Sequence, residues 1–154
     1  MIGELVREVG FQTHVYTQQK PRENDESIFK EVIEALKKIE PPRLRSVDKP
    51  EFYLEYYILG FLEGYFMERG IDVNNQSVGV DRGRESRPDI VVDRRVAVEI
   101  KALKTKRELQ RGLGQLQEYS HIFPYVILYL YDPEGISRGI EAKIQNTEII
   151  RYPR

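Results

Sequence analysis

Apolar residues recur with helical periodicity in three segments of the chain. The first segment begins at Asn24 or Asp25, either of which can cap a helix, and it ends at Pro41 and Pro42. Its apolar positions follow the 3.6-residue period: Ile28, Phe29, Val32, Ile33, Leu36 and Ile39. This pattern predicts an amphipathic helix with one face on the core.

The second segment predicts a helix from about Glu51 to Arg69, which starts after Pro50 and stops at Gly70. Its apolar residues lie on most sides, as in a helix buried between layers. Glu55 and Glu63 within it therefore need an explanation, since charged side chains are rarely buried without a partner. The ordinary explanation is that either glutamate reaches solvent at a groove in the helix packing.

The third segment predicts a helix over Lys106–Ser120, with Leu109, Leu113 and Leu116 as its core stripe. Gln115 and Tyr119 are four residues apart and share a face of this helix. Gly112 and Gly114 lower its helix propensity, which a helix tolerates if something packs closely there.

Strands are predicted between these helices from alternating or continuous apolar residues. They cover residues 11–17, 71–80, 123–131 and 142–152, with a charged loop at 81–87 and a turn at 132–135. The order of elements predicts an α/β fold with a central mixed β-sheet flanked by helices. A chain of 154 residues predicts a single compact domain.

The stretch ESRPDIVVDRRVAVEIK predicts a β-hairpin with an unusual pair of acidic residues. The core face carries Ile90, Val92, Val96, Val98 and Ile100, and the other face carries Asp89, Val91, Ala97, Glu99 and Lys101. A three-residue turn centred on Arg94 places Asp89 opposite Glu99, with Cβ atoms roughly 5 Å apart. A two-residue turn would make them diagonal neighbours.

Two facing carboxylates are unfavourable unless a cation lies between them, so the hairpin predicts a metal site. The ordinary alternative is a solvent-facing hairpin with a salt bridge between Glu99 and Lys101. The chain has no cysteine, which excludes disulfides, thiolate zinc sites and thiol catalysis. His14 and His121 have no partner at metal-ligand spacing, so a metal here would need oxygen ligands.

Charge is unevenly distributed along the chain. Its net charge is −1, yet residues 82–111 hold ten basic and five acidic residues, whereas residues 1–81 hold ten basic and fifteen acidic ones. A basic block in an acidic chain indicates one surface that meets an anion. A solvated face of mixed charge is the ordinary alternative.

These residues resemble the PD-(D/E)xK nucleases of the restriction-endonuclease-like fold. Pro88-Asp89, nine intervening residues and Glu99-Ile100-Lys101 match the family signature, and Gln115 to Tyr119 match the QxxxY element of its RecB-like branch. The charged loop with Arg87 is also typical of the family. The resemblance covers about residues 51–131 and implies a nuclease-like core at 51–154. Residues 1–50 form an N-terminal extension outside it.

The resemblance implies a site that binds Mg²⁺ or Mn²⁺ through Asp89, Glu99 and the main-chain carbonyl of Ile100. Lys101 would position the attacking water or stabilise the developing charge. A helix glutamate usually completes such a site, and the spacing favours Glu55 over Glu63. Gln115 and Tyr119 would contact the substrate or the catalytic carboxylates. Candidate phosphate contacts are Arg82, Arg84, Arg87, Lys104, Arg107 and Arg111.

The leading hypothesis is a metal-dependent nuclease, a hydrolase that acts on DNA. The alternatives are a non-cleaving nucleic-acid-binding module or subunit of a larger machine, and an interaction protein that assembles through its first 50 residues. The amphipathic helix at 25–39 permits a homodimer. Without an apolar span or a leader-like N-terminus, the chain is expected to be cytoplasmic and to have no membrane partner. Its richness in Lys, Glu, Arg, Ile and Tyr is typical of a heat-adapted source.

Overall fold

The computed structural model describes residues 22–75 and 87–154. The helices are α1 (Asp25–Lys38), α2 (Pro50–Phe66), followed by a 3₁₀ turn (Met67–Arg69), and α3 (Lys106–Ser120). The strands are β1 (Val73–Asn75), β2 (Ile90–Val92), β3 (Val96–Ala102), β4 (Tyr125–Tyr131) and β5 (Thr147–Tyr152). The strand predicted at 11–17 lies outside the described residues.

The five strands form one mixed sheet in the order β1-β2-β3-β4-β5. The β1–β2 and β2–β3 pairs are antiparallel, whereas the β3–β4 and β4–β5 pairs are parallel. α3 provides the crossover between β3 and β4, as parallel neighbours require. The predicted α/β class with a mixed sheet flanked by helices is confirmed.

Alternation along the strands divides the apolar residues between the two faces of the sheet. Ile90, Val98 and Ile100 pack with α1 and α2 in one cluster. Val91 and Ala97 pack with α3 in the other. The sheet is therefore covered on both faces, which explains why all seven residues of β3 are buried.

The hairpin has the register that its three-residue turn predicts. Ile90 pairs with Val98 and Val92 pairs with Val96. Asp93 and Arg94 in the turn both have positive φ, of 52° and 59°. The register extends to Asp89 opposite Glu99, immediately beyond the last ladder pair.

The second helix and the last strand differ from their predicted lengths. The second helix gives way to the 3₁₀ turn after Phe66, and Gly70 ends it in the left-handed conformation with φ of 64°. The last strand is predicted over 142–152 but begins only at Thr147. Asn146 has φ of 62°, and Thr147 Oγ1 donates to the Ile144 carbonyl, so a turn occupies the start of the predicted strand.

The strand predicted at 71–80 is observed only over Val73–Asn75, and residues 76–80 lie outside the described ranges. Within those ranges, none of the helices has the length and apolar character needed to cross a membrane.

Candidate active site

The site is built on the part of β3 that extends beyond the end of β2. The β2–β3 ladder stops at the Ile90–Val98 pair, and one further step along this edge would place Pro88 opposite Ile100. Proline has no N–H to donate, so it cannot supply the Ile100 carbonyl with a ladder hydrogen bond. Pro88 thereby leaves the main chain of Ile100 facing the side chains of the site.

Two acidic side chains occupy the edge of β3 that β2 leaves open. The Ile100 N–H donates to Asp89 Oδ2 at 2.8 Å. The Ala102 backbone forms a hydrogen bond with the Glu51 carboxylate, from the first turn of α2. Alternate amides of β3 thus point at carboxylates instead of at a neighbouring strand, which holds Asp89 and Glu51 beside the end of the sheet.

Lys101 lies beside two carboxylates, and a third carboxylate lies next to those two. Its Nζ is 3.5 Å from Glu51 Oε1 and 3.8 Å from Glu99 Oε2. Glu99 is only 2% exposed and Lys101 only 8%. Asp89 acts on both glutamates as a neighbouring negative charge. When all four groups are ionised they carry a net charge of −2, which one divalent cation would balance.

The pKa values of Glu99 and Glu51 are shifted by the closeness of these carboxylates. Burial raises the pKa of Glu99 well above its usual range, and the charges of Asp89 and Glu51 raise it further, while Lys101 opposes them. Burial also raises the pKa of Glu51, with Asp89 adding to the shift and Lys101 opposing it. The positive charge near the two glutamates is therefore too small to balance their ionised carboxylates. Glu99 Oε1 is buried and accepts no hydrogen bond from the described residues.

A pocket of about 520 Å³ opens beside this cluster at the start of α2. Its lining consists of Lys49, Pro50, Glu51, Phe52, Glu55, Ala102, Lys104 and Glu108. Both acidic and basic side chains reach it, as a site for a phosphate and a cation would require. Solvent and ligands can thus approach the carboxylate cluster from this side.

One helix glutamate that contacts a predicted site residue is one that sequence reasoning missed. Glu51 contacts Lys101, from which it is separated by 50 residues in the chain. Glu55 is 3% exposed and lines the pocket one helical turn further on, whereas Glu63 is exposed. The only signal in the sequence was the spacing of Glu51 and Glu55, which at i and i+4 share one face of the helix.

α3 covers the other side of Lys101. A Cβ at Gly112 would lie 3.2 Å from Lys101 Cγ and 3.3 Å from Leu128 Cδ1, so the glycine leaves room for the lysine stem. Gly114 has open space instead, with no described atom within 4 Å of the position that a Cβ would occupy. Gln115 is half-buried, and its Oε1 has no hydrogen-bond partner among the described residues. Tyr119 is fully buried in the α3-side cluster.

The predicted phosphate contacts divide into three groups. Arg82 and Arg84 lie outside the described residues. Arg87 is half-buried just before Pro88. Lys104, Arg107 and Arg111 are exposed around the start of α3, and Lys104 also lines the pocket.

The start of α3 is fixed by a capping box. Glu108 N–H donates to Thr105 Oγ1, and Thr105 N–H donates to Glu108 Oε1. The Lys104 N–H also donates to Glu108 Oε1, at 3.0 Å. The turn from β3 into α3 is thereby tied down, which places the basic end of α3 next to the pocket.

No group of three or more His, Asp or Glu side chains converges closely enough to hold a metal ion within residues 22–75 and 87–154. Mg²⁺, however, is commonly bound through only one or two carboxylates, with water and substrate phosphates as its other ligands. The oxygens of Asp89 and Glu99 are of the type that Mg²⁺ and Mn²⁺ prefer. The buried Glu99 Oε1, which has no hydrogen-bond donor among the described residues, fits such an ion.

Comparisons of the chain with protein-family models, with curated proteins and with solved structures found no match.

Proposed function

We propose that the protein is a metal-dependent nuclease that hydrolyses DNA phosphodiester bonds at the pocket beside β3, on a restriction-endonuclease-like core. The observation that carries this proposal is the cluster of Asp89, Glu99 and Glu51 around Lys101. A buried glutamate beside two further carboxylates is unfavourable in itself. It is typical of a site whose charge is balanced by a bound cation.

Asp89 and Glu99 would hold the ion, with the Ile100 carbonyl as a further oxygen ligand and Glu51 or Glu55 beside it. A bound Mg²⁺ or Mn²⁺ would supply Lewis-acid activation of water and charge neutralisation at the phosphate. The assignment of Glu51 modifies the expectation from the sequence, because Glu51 contacts Lys101 directly.

Lys101 would act on the reacting phosphate. Its ammonium group carries three donors and lies within 4 Å of two carboxylates. Its stem is packed beneath α3 at Gly112, so its Nζ is held beside Glu51, which lines the pocket, and would lose little side-chain entropy on substrate binding. Lys104, which lines the pocket, would contact a neighbouring phosphate.

The experiment that tests the proposal is cleavage of labelled linear duplex, single-stranded and branched DNA in Mg²⁺, Mn²⁺ or EDTA. The variants are Glu99→Gln, Lys101→Ala and Glu51→Gln. Glu118→Gln is the matched control, because Glu118 is an exposed residue of α3. We expect cleavage that requires metal and falls at least a hundredfold in Glu99→Gln and Lys101→Ala.

The outcomes separate the hypotheses. Cleavage that survives EDTA or Glu99→Gln would contradict the proposal. A wild type that cuts nothing but binds DNA with steep salt dependence would instead be a nucleic-acid-binding module. If the protein neither cuts nor binds, the basic block is a solvated face.

A further inference from the structure

The side of α2 that faces away from the sheet is apolar and exposed. The stripe consists of Tyr53, Tyr56, Tyr57, Gly60, Gly64 and Met67, which is the first residue after the helix. At 100° per residue these positions fall within an arc of about 100°. Its four large side chains are 40% to 74% exposed. We call this surface the α2 stripe.

The two halves of the α2 stripe have opposite shapes. The N-terminal half carries three tyrosines, flanked by Phe52, which is 50% exposed and stacks edge-on against Tyr56 at 4.8 Å. The C-terminal half carries Gly60 and Gly64, and no described atom lies within 4 Å of a Cβ position at either glycine. The N-terminal half therefore projects aromatic rings, and the C-terminal half exposes the helix backbone.

We propose that the α2 stripe is a homodimer interface in which two copies of α2 pack antiparallel about a two-fold axis near Gly60. Only the antiparallel arrangement places the rings of each copy over the glycines of the other, and a two-fold axis perpendicular to the helices produces it. A parallel pair would set rings against rings and leave a gap between the glycines. The surface is thus complementary to itself.

Pairing about Gly60 brings specific residues together, because residues equally far from the axis meet across it. Tyr56 lies over the partner's Gly64, and Tyr53 lies beside the partner's Met67, a favourable contact between sulfur and an aromatic ring. On the edge of the stripe, Tyr57 lies beside the partner's Glu63. The two Gly60 backbones make the closest approach.

The apolar area is sufficient for a stable dimer. Burying the exposed parts of the four large stripe side chains removes about 400 Å² per copy from water, since full burial of a side chain of this size removes about 200 Å². A standard interface buries about 800 Å² per partner, and about 65% of a homodimer interface is apolar. The α2 stripe supplies most of that apolar share.

Charge favours a second copy over a nucleic acid on this surface. A base-stacking platform combines aromatic rings with a positively charged groove. The charged residue on the edge of the α2 stripe, about 20° beyond Tyr56, is Glu63, which is acidic and exposed. Nucleic acid would be repelled there, whereas the second copy sets the ring of its Tyr57 beside that carboxylate.

The dimer would leave the candidate active site open. Glu51 and Glu55 project from α2 on the side of the buried residues Leu54 and Ile58, away from the stripe. With the axis at Gly60, the two Glu51 residues lie about 27 Å apart along the helix direction, at 1.5 Å per residue. Each pocket would then lie at an opposite end of the helix pair.

The first test is the mass of the full chain in solution by light scattering after size exclusion. We expect a dimer for the wild type and a monomer for Gly60→Leu, because the added side chain blocks the close approach. Gly114→Leu is the matched control, since Gly114 is also a helical glycine with open space around it, on α3. It should remain a dimer.

The second test uses the absence of cysteine from the chain. Gly60→Cys should form a disulfide-linked dimer under mild oxidation, because the residue meets its own copy at the axis, whereas Gly114→Cys should not. A mixture of Tyr53→Cys and Met67→Cys should cross-link, and Tyr53→Cys alone should not. Self-linkage of Tyr53→Cys would indicate a parallel pair and contradict the proposal.

A monomeric wild type overturns the proposal. This holds both when the thiol of Tyr53→Cys is accessible to reagents and when another part of the chain covers it. A dimer that survives Gly60→Leu also overturns it, because the interface must then lie elsewhere. Circular dichroism of Gly60→Leu distinguishes a folded monomer from an unfolded one. If that variant is unfolded, the cross-linking results decide.

Discussion

Glu99 combines near-complete burial with two acidic neighbours and a nearby lysine. A carboxyl whose pKa is raised on folding binds protons more tightly in the folded state than in the unfolded one. Its contribution to stability is therefore full below its ordinary pKa of 4.5 and is lost as the pH rises through the folded-state value. At neutral pH the carboxyl of Glu99 therefore destabilises the metal-free protein relative to a side chain of the same shape that does not titrate.

We predict that Glu99→Gln raises the stability of the protein in EDTA at pH 7. The amide keeps the shape of the side chain and removes a buried ionisable group, which we expect to stabilise the fold by about 1 kcal/mol, or about 3 °C in Tm. Thermal unfolding followed by circular dichroism measures this shift, with Glu118→Gln as the exposed control. A lower Tm for Glu99→Gln would show that its charge is already balanced by Lys101.

The same measurement with metal added tests whether Glu99 is a ligand. An ion that binds only the folded state stabilises it by mass action, by about 2.7 kcal/mol at a hundred times its Kd. Mg²⁺ or Mn²⁺ should therefore raise the Tm of the wild type and of Glu118→Gln, and have a much smaller effect on Glu99→Gln. An equal rise in all three proteins would place metal binding elsewhere.

Gly112 controls the position of Lys101. Since a Cβ there would lie 3.2 Å from Lys101 Cγ and 3.3 Å from Leu128 Cδ1, Gly112→Ala should displace the lysine stem or α3. If Lys101 acts on the reacting phosphate, a displacement of this size should lower kcat for DNA cleavage by about tenfold to a hundredfold. Metal binding, measured as the rise in Tm, should be unchanged because the carboxylates stay in place.

Gly114→Ala is the control for this prediction. Gly114 has open space around it, so alanine should disturb no packing and should stabilise the helix by about 1 kcal/mol. Its cleavage rate should match that of the wild type. Equal rates for both variants would mean that the lysine stem adapts to the methyl group and that Gly112 has no positioning role.

At the level of the elements, one buried carboxylate joins α1 to the hairpin that carries the site. Asp25 Oδ2 accepts from the Arg22 N–H at 2.6 Å and from Arg95 Nε at 3.0 Å, and its side chain is fully buried. Burial by itself would raise the pKa of Asp25, but the hydrogen bonds and the charge of Arg95 outweigh it, so the pKa is lowered. The ionised form is thus favoured in the folded state.

We predict that Asp25→Asn destabilises the protein by about 2 kcal/mol at pH 7, because it removes charged hydrogen bonds to Arg95 and to the Arg22 backbone. A depressed pKa stabilises the fold above the unfolded value, and this stabilisation disappears as the pH falls through the folded one. The gap between wild type and variant should therefore shrink below about pH 3.8. Urea unfolding at pH 7, 5 and 3 measures it.

Asp93→Asn is the matched control, since Asp93 pairs with Arg22 at 2.9 Å but its side chain is 30% exposed. Its removal should cost less than about 1 kcal/mol. If the gap for Asp25→Asn is the same at all three pH values, the carboxylate stabilises the hairpin by packing alone.

The hairpin shows what sequence patterns predict well. Alternating valines and isoleucines assign each residue to a face, and the three-residue turn then fixes which residues face each other. These are local relations, so the position of Asp89 opposite Glu99 follows from about a dozen consecutive residues. The three helices are predictable for the same reason, since periodicity and end signals such as Pro50 and Gly70 are also local.

The contact made by Glu51 shows what sequence patterns do not predict. Periodicity indicates that Glu51 and Glu55 share a face of α2, but the contact of Glu51 with Lys101 depends on how the helix crosses the sheet. That crossing is decided by packing between residues far apart in the chain. β5 starts later than predicted for a different reason. A turn with Asn146 in the left-handed conformation precedes the strand, and apolar periodicity does not indicate such a turn.

For the molecule as a whole, the distribution of charge matters more than its sum. The chain is nearly neutral, so it has no general attraction for nucleic acid. The described part of the basic block, however, places Lys104, Arg107 and Arg111 on the surface around the start of α3, next to the pocket. A phosphate backbone approaching the pocket would meet these three side chains.

We predict that alanine at Lys104, Arg107 and Arg111 together weakens DNA binding and also makes it less sensitive to salt. Each phosphate contact that the substitutions remove should reduce the slope of log K against log salt by about 0.9 for duplex DNA, because fewer counterions are released. Fluorescence anisotropy between low and moderate salt, in EDTA to prevent cleavage, measures both quantities. The control replaces Lys30, Lys37 and Lys38 on α1, which removes the same number of positive charges outside the basic block. Equal changes in slope for both sets of substitutions would mean that overall charge, rather than the surface beside the pocket, attracts the DNA.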